Sequence, residues 1–267
     1  MQIPFTKAHG AKNDFLLTWA SQAPDGGSPD IARAICDRHT GVGADGWMIV
    51  EPPGARDCEG AIRLFNSDGS EAEISGNGTR CAAAFLIRAG AAPGEVRIRT
   101  GAGLKHLRLL SRDGLRFEFE MNMGRPQIME RTFDLALSAG VRDVTLLWVG
   151  NPQCAVPVEA FDFDWRSMGA EIERHPHFPN RTNVSFVRPV DAHTIDVRFY
   201  ERGAGETMSS GTGATGAAAA AVARGFATSP VHVLTPAGTL KIRIDGDYFL
   251  TGPAEIVADG QFHLPIP

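Results

Sequence analysis

Apolar and polar residues alternate with a period of two along most of this chain. The alternation runs through "AIRLFN" (61–66), "EVRIRT" (95–100), "HLRLL" (106–110) and "LRFEFEMN" (115–122). It returns in "TLLWVG" (145–150), "NVSFVRP" (183–189), "TIDVRFYE" (194–201), "VHVLTP" (231–236) and "LKIRID" (240–245). Successive side chains on a strand point to opposite faces, so this period predicts half-buried strands. Helical spacing is rarer. It predicts one helix from about Gly78 to Ala89 and another from about Thr212 to Arg224, both rich in alanine, the strongest helix former. A third is expected over "SPDIARAICDRH" (28–39), with Ser28 as cap and Pro29 in the first turn.

The two alanine-rich helices follow nearly the same words. Residues 71–85 read "EAEISGNGTRCAAAF" and residues 206–220 read "ETMSSGTGATGAAAA". At an offset of 135, Phe65 falls on Tyr200, Glu71 on Glu206, Ser75 on Ser210, Gly76 on Gly211 and Gly78 on Gly213. Agreement at so many special positions reads as an internal duplication. The period is too long for a solenoid. The class expected is α+β, with two similar domains, each mostly strands around one helix. Residues 1–120 form the first domain and 121–267 the second, with the last strand able to cross back.

Composition narrows the function. The net charge of −5 argues against nucleic-acid binding, which needs a basic face. There is no apolar run of membrane-spanning length, and "MQIPFTKAHG" is not a signal peptide. A cytoplasmic protein is expected. Cys36, Cys58, Cys81 and Cys154 form no CxxC pair, so buried free thiols are expected and a zinc site is not. "HPH" at His175 and His177 is expected to be a surface turn, and no metal ligands are assigned.

The repeated unit is strand, glycine-rich loop, helix. A helix start offers unsatisfied N–H groups and the positive end of the macrodipole, and glycine lets a ligand approach that backbone. Each loop is therefore a candidate carboxylate or phosphate site. Neither has the lysine of a Walker loop or the dinucleotide fingerprint. If the two starts face each other, Ser75 and Ser210 flank one ligand. Groups on opposite faces of one carbon suit inversion of a stereocentre, with the helix dipoles stabilising charge on the substrate carboxylate.

At this point the chain resembles the diaminopimelate epimerase family. The resemblance rests on "GAKNDF" (10–15), "DRHTGVGADG" (37–46), "FNSDGSEAEISGNGTRC" (65–81), "GNPQ" (150–153), "TNVSFV" (182–187) and "ERGAGETMSSGTGATG" (201–216). It implies two pseudo-symmetric domains, each a β-barrel-like sheet wrapped around a central helix, usually in a homodimer. It implies no cofactor, and interconversion of LL- and meso-diaminopimelate, an amino acid with two carboxylates, in lysine and cell-wall biosynthesis. It places Asn13, Asn66, Asn151, Asn183 and Arg202 on the substrate, with Gly76-Asn77 and Gly211-Thr212 cradling the α-carboxylate. Its two catalytic cysteines correspond to Ser75 and Ser210, and Glu201 supports one of them. The family commonly has histidine where Gln153 stands and glutamine where Gly46 stands. A hydroxyl is a weak base until another group activates it. Three chemistries stay open: epimerisation with serine, a one-base isomerase or dehydratase, and amino-acid binding without turnover. A fourth reading is an engineered exchange of both cysteines.

Overall fold

A computed structural model describes residues 1–52, 54 and 58–264. The alternating segments form strands and the chain divides into two compact units. The first holds Met1–Met121 together with the C-terminal stretch from Gly252, and the second holds Asn122–Thr251.

The first unit contains β1 (Gln2–Gly10), β2 (Asn13–Trp19), α1 (Ser28–Cys36), β3 (Gly46–Glu51), β4 (Gly60–Asn66), β5 (Glu71–Ala72), α2 (Gly76–Arg88), β6 (Glu95–Thr100), β7 (Gly103–Asp113) and β8 (Arg116–Gly124). The second contains β9 (Gln127–Leu137), β10 (Gly140–Trp148), β11 (Pro152–Pro157), α3 (Trp165–Glu173), β12 (Asn183–Asp191), β13 (Thr194–Glu201), β14 (Gly205–Thr207), α4 (Gly211–Ala223), β15 (Val231–Thr235) and β16 (Gly238–Asp245). The last strand, β17 (Asp247–His263), runs through the second boundary as β8 runs through the first.

In the first unit the pairing closes on itself. β17 pairs with β1 and β1 with β2, both antiparallel, and β2 lies parallel to β3. β3 and β4 are antiparallel, β4 and β6 parallel, and β6, β7 and β8 antiparallel; β8 then pairs with β17. The second unit repeats the senses. β9, β10 and β11 are antiparallel, β11 and β12 parallel, β12 and β13 antiparallel, β13 and β15 parallel, and β15, β16 and β17 antiparallel. α2 and α4 stand 135 positions apart at both ends.

Each of these two helices is enclosed by its sheet. α2 is buried continuously from Gly76 to Ile87, and α4 from Gly211 to Ala221. α4 touches β9, β10, β11, β12, β13, β15 and β16. A helix with strands on every side has no polar face to offer, and alanine leaves its profile thin. The fold is α+β, a strand barrel around a central helix.

One local expectation needs correction, and one helix lies outside the predicted pattern. The cap of α1 is Gly27, not Ser28, which is the first helical residue. The chain enters through Gly26 and Gly27 at φ 78° and 67°, a left-handed turn that suits glycine. The Gly27 carbonyl accepts from the N–H groups of Asp30 and Ile31. Helix α3 had no counterpart in the helical pattern. It starts at Asp164, whose carboxylate accepts from the Ser167 N–H at 3.0 Å.

Candidate active site

The first helix start is built by α2 and the loops before β2 and β3. Ser75 is the N-cap of α2, and its Oγ accepts from the Gly78 N–H at 3.1 Å. Gly78 fits closely: a Cβ there would lie 2.9 Å from Met48 Cε, 3.2 Å from Ser75 Cβ and 3.3 Å from Phe15 Cζ. Asn77, in the first turn, is 1 % exposed. Its Nδ2 donates to Asn13 Oδ1 at 3.2 Å, and Asn13 Nδ2 donates to Asp45 Oδ2 at 2.6 Å. Arg80 donates to Asn77 Oδ1 at 2.5 Å, to the Gly76 carbonyl at 3.2 Å and to the Pro253 carbonyl at 3.1 Å. Burial lowers the Arg80 pKa to about 10, which leaves it charged at neutral pH. The result is a fixed row of amides whose orientation is set from both ends, by a cation and by a carboxylate. Asn66 ends β4 and stands apart from this row, its Nδ2 donating to Ser70 Oγ at 2.9 Å.

Asp45 belongs to a charge cluster that the motif reading did not assign. Arg38 bonds Asp14 at 2.8 Å and Asp45 at 2.9 Å, and Lys7 lies 3.0 Å from Asp14. Burial opposes ionisation of Asp14 more than any other single effect. The bonds from Arg38 and Lys7 together outweigh it and hold the carboxyl below its ordinary range. Asp45 moves the other way: burial raises it and neighbouring Asp14 adds to the rise, against the bond from Asn13. Both aspartates sit inside motifs quoted above, in "GAKNDF" and "DRHTGVGADG". What hides their role is that a carboxylate binding an asparagine leaves no periodic trace.

The second helix start repeats the cap. Ser210 precedes Gly211, and its Oγ accepts from the Gly213 N–H at 3.0 Å. Here the hydroxyl has a second partner: it donates to Glu201 Oε1 at 2.6 Å. Glu201 is the last residue of β13, so the strand end delivers a carboxylate to the helix cap. Gly211 and Thr212 supply first-turn N–H groups outside the helical ladder. Asn151 is 7 % exposed and donates to Thr212 Oγ1 at 3.4 Å, while Gln153 Nε2 donates to Asn151 Oδ1 at 2.7 Å. Gln153 Oε1 is buried with no hydrogen-bond partner. Asn183 opens β12; its Nδ2 donates to the Pro152 carbonyl at 3.0 Å and its Oδ1 accepts from the Arg202 N–H at 3.0 Å. Arg202 Nη1 donates to the Asn180 carbonyl at 3.3 Å.

The remaining nucleophiles are not available. Cys36, Cys58, Cys81 and Cys154 are free and buried. Burial pushes Cys81 up to about 12 and raises Cys154 further, so both stay as neutral thiols. Among the described residues no cluster of three or more His, Cys, Asp or Glu has metal-binding geometry, and no helix is long and apolar enough to cross a membrane.

The diaminopimelate epimerase family model matches residues 5–129 and 145–257. A diaminopimelate epimerase of Azoarcus sp. strain BH72 is 40% identical over 283 residues, covering 99% of this chain and 100% of that protein. One of Ectopseudomonas mendocina strain ymp is 37% identical over 280 residues, covering 99% and 100%. A probable proline racemase of Agrobacterium radiobacter K84 shares the fold, with a TM-score of 0.77 at 16% identity over 99% of this chain and 93% of that one. With the match spanning both units and relatives aligned from end to end, this chain belongs to the diaminopimelate epimerase family.

Proposed function

We propose that the chain is a cofactor-independent amino-acid epimerase of the diaminopimelate type, interconverting LL- and meso-diaminopimelate for lysine and peptidoglycan biosynthesis. The observation that carries the reading is the Ser210–Glu201 pair, a carboxylate 2.6 Å from a hydroxyl at the start of a buried helix. A general base needs that reach to the group it activates. The helix start favours a bound carboxylate and the negative charge that grows as the α-proton leaves. On this reading Gly76-Asn77 and Gly211-Thr212 hold the α-carboxylate, and Ser75 serves the other face of the α-carbon. Arg202 takes the distal carboxylate bidentately. Asn13, Asn66, Asn151 and Asn183 address the ammonium and carboxylate groups. Family membership and the names of the relatives support the substrate. The same reading has the chain work in the cytoplasm as a homodimer.

Arg202 separates a two-carboxylate substrate from other amino acids. Calorimetry with meso-diaminopimelate and with lysine tests it, because lysine lacks the distal carboxylate. Diaminopimelate is expected to bind, and Arg202→Met to weaken it by about 2–5 kcal/mol, the scale for truncating one partner of a buried charge pair. Lysine is expected to lose much less. Equal losses for the two ligands, or no binding of diaminopimelate, would refute the assignment.

A further inference from the structure

We infer that acid–base chemistry in this chain is one-sided: Ser210 with Glu201 removes and returns the α-proton on one face, and Ser75 has no base among the described residues of its own unit with which to remove one from the other. The inference rests on the epimerase reading above and concerns which half of that reaction the chain performs well.

The two caps are alike in backbone and differ in the fate of one proton. Ser75 sits at φ −128°, ψ 122° and Ser210 at φ −137°, ψ 127°. Each Oγ accepts one N–H from three residues on, which occupies one lone pair and leaves the other. The Ser210 hydroxyl proton goes to Glu201. At the repeat position of Glu201 the first unit has Asn66, engaged with Ser70, and an amide cannot take up a proton. Among the described residues no carboxylate or imidazole of the first unit bonds Ser75 Oγ.

The step balances with the groups present. The Cα–H bond breaks, and its proton passes to Ser210 Oγ as the hydroxyl proton passes to Glu201 Oε1. The electron pair stays on the substrate, spread into its α-carboxylate beside the helix N–H groups. Glu201 becomes neutral and the substrate gains one negative charge. The hydroxyl and carboxyl protons of the Ser210–Glu201 pair then exchange with solvent, and the reverse steps return a solvent-derived proton to the same face. Configuration is retained. Inversion needs Ser75 to give up its proton and stand as an alkoxide, with no proton donor of its own unit bonded to it to neutralise the charge. Running inversion backwards would need that alkoxide as the base. Only the epimer whose α-hydrogen faces Ser210 therefore exchanges readily.

The test incubates the protein in D2O with LL-, DD- and meso-diaminopimelate. Proton NMR follows loss of the α-hydrogen and chiral chromatography follows inversion. Exchange is expected to outrun inversion by about 10²-fold, the usual contribution of a positioned base, and at one configuration only. Glu201→Gln should cut exchange by a similar factor, with Glu201→Asp recovering part of it; calorimetry confirms that each variant still binds. Ser75→Cys should raise inversion by about tenfold or more and close the gap, because a thiol ionises far more readily. Inversion in step with exchange would overturn the inference. So would undiminished exchange in Glu201→Gln, no gain in Ser75→Cys, or binding without any exchange. Absence of binding would instead overturn the substrate reading and this inference with it.

Discussion

Asp14 and Asp45 share Arg38 and are driven in opposite directions, which makes them separable by pH. The Asp14 carboxyl lies below its ordinary range in the folded chain. Its contribution is fully present above the unfolded value, about 3.9, and is lost as pH falls through the lower folded value. The Asp45 carboxyl is raised. Its contribution is present at low pH and lost as pH rises through the folded value. Thermal melts from pH 7 down to about 2.5 should show wild type losing stability below about pH 4. Asp14→Asn should be less stable at pH 7 and flatter across that limb. Parallel profiles for the two proteins would mean that Asp14 has no such linkage. Gly46 is a second residue whose identity has a local cause. A Cβ there would lie 2.8 Å from the Phe65 carbonyl oxygen, so glutamine would have to displace β4.

The central helices show what element-level packing demands. α4 is buried all round, so its alanines and glycines serve clearance and not amphipathicity. Its glycines are not equivalent. At Gly213 a Cβ would lie 2.8 Å from Phe199 Cδ1 and 2.9 Å from Ser210 Oγ. At Gly216 the nearest atoms, Gln153 Cγ and Leu147 Cδ1, are 3.4 Å away. Gly213→Ala should therefore destabilise by about 1–3 kcal/mol through overpacking and disturb the Ser210 cap. Gly216→Ala should be neutral or stabilise by up to about 1 kcal/mol, from helix propensity and a less flexible unfolded chain. Urea unfolding of both variants decides it. A reversed order would show that clearance around α4 does not set these positions.

At the scale of the whole molecule, the barrel of the first unit is closed by the chain's own end. β1 pairs with β17 from Gln2 opposite His263 onward. Arg80, fully buried, reaches from α2 to the Pro253 carbonyl on that returning strand. Replacing it by methionine removes a charge and leaves three acceptors short of a donor, two of them buried on Gly76 and Asn77. Arg80→Met should cost about 1–3 kcal/mol or more, the scale of leaving buried acceptors without a donor. Arg80→Lys should recover little, because one ammonium cannot reproduce the planar fork. Denaturant midpoints measure both. A loss under about 1 kcal/mol for methionine, the scale of an exposed pair, would show that Arg80 is not what ties β17 to α2.

Much of this was legible along the chain because the information is local. Period-two alternation records which face of a strand is buried, and the strands from "AIRLFN" to "LKIRID" lie where it runs. Serine before glycine-rich, alanine-rich words located the starts of α2 and α4 within two residues, since caps and propensity act over one turn. The 135-residue repeat and the quoted motifs carried the α+β class and the family. α3 escaped because its boundary signal, Asp164 on Ser167, follows an irregular aromatic stretch with no helical period. The partners of the site residues also lay beyond local reading. Asn13 meets Asp45 across 32 positions and Arg80 meets Pro253 across 173. Such pairs form only after the strands have closed around the helix. Which amide points which way, and which serine receives a carboxylate, is set by that closure, because a buried polar group takes whatever partner the fold brings within hydrogen-bond reach.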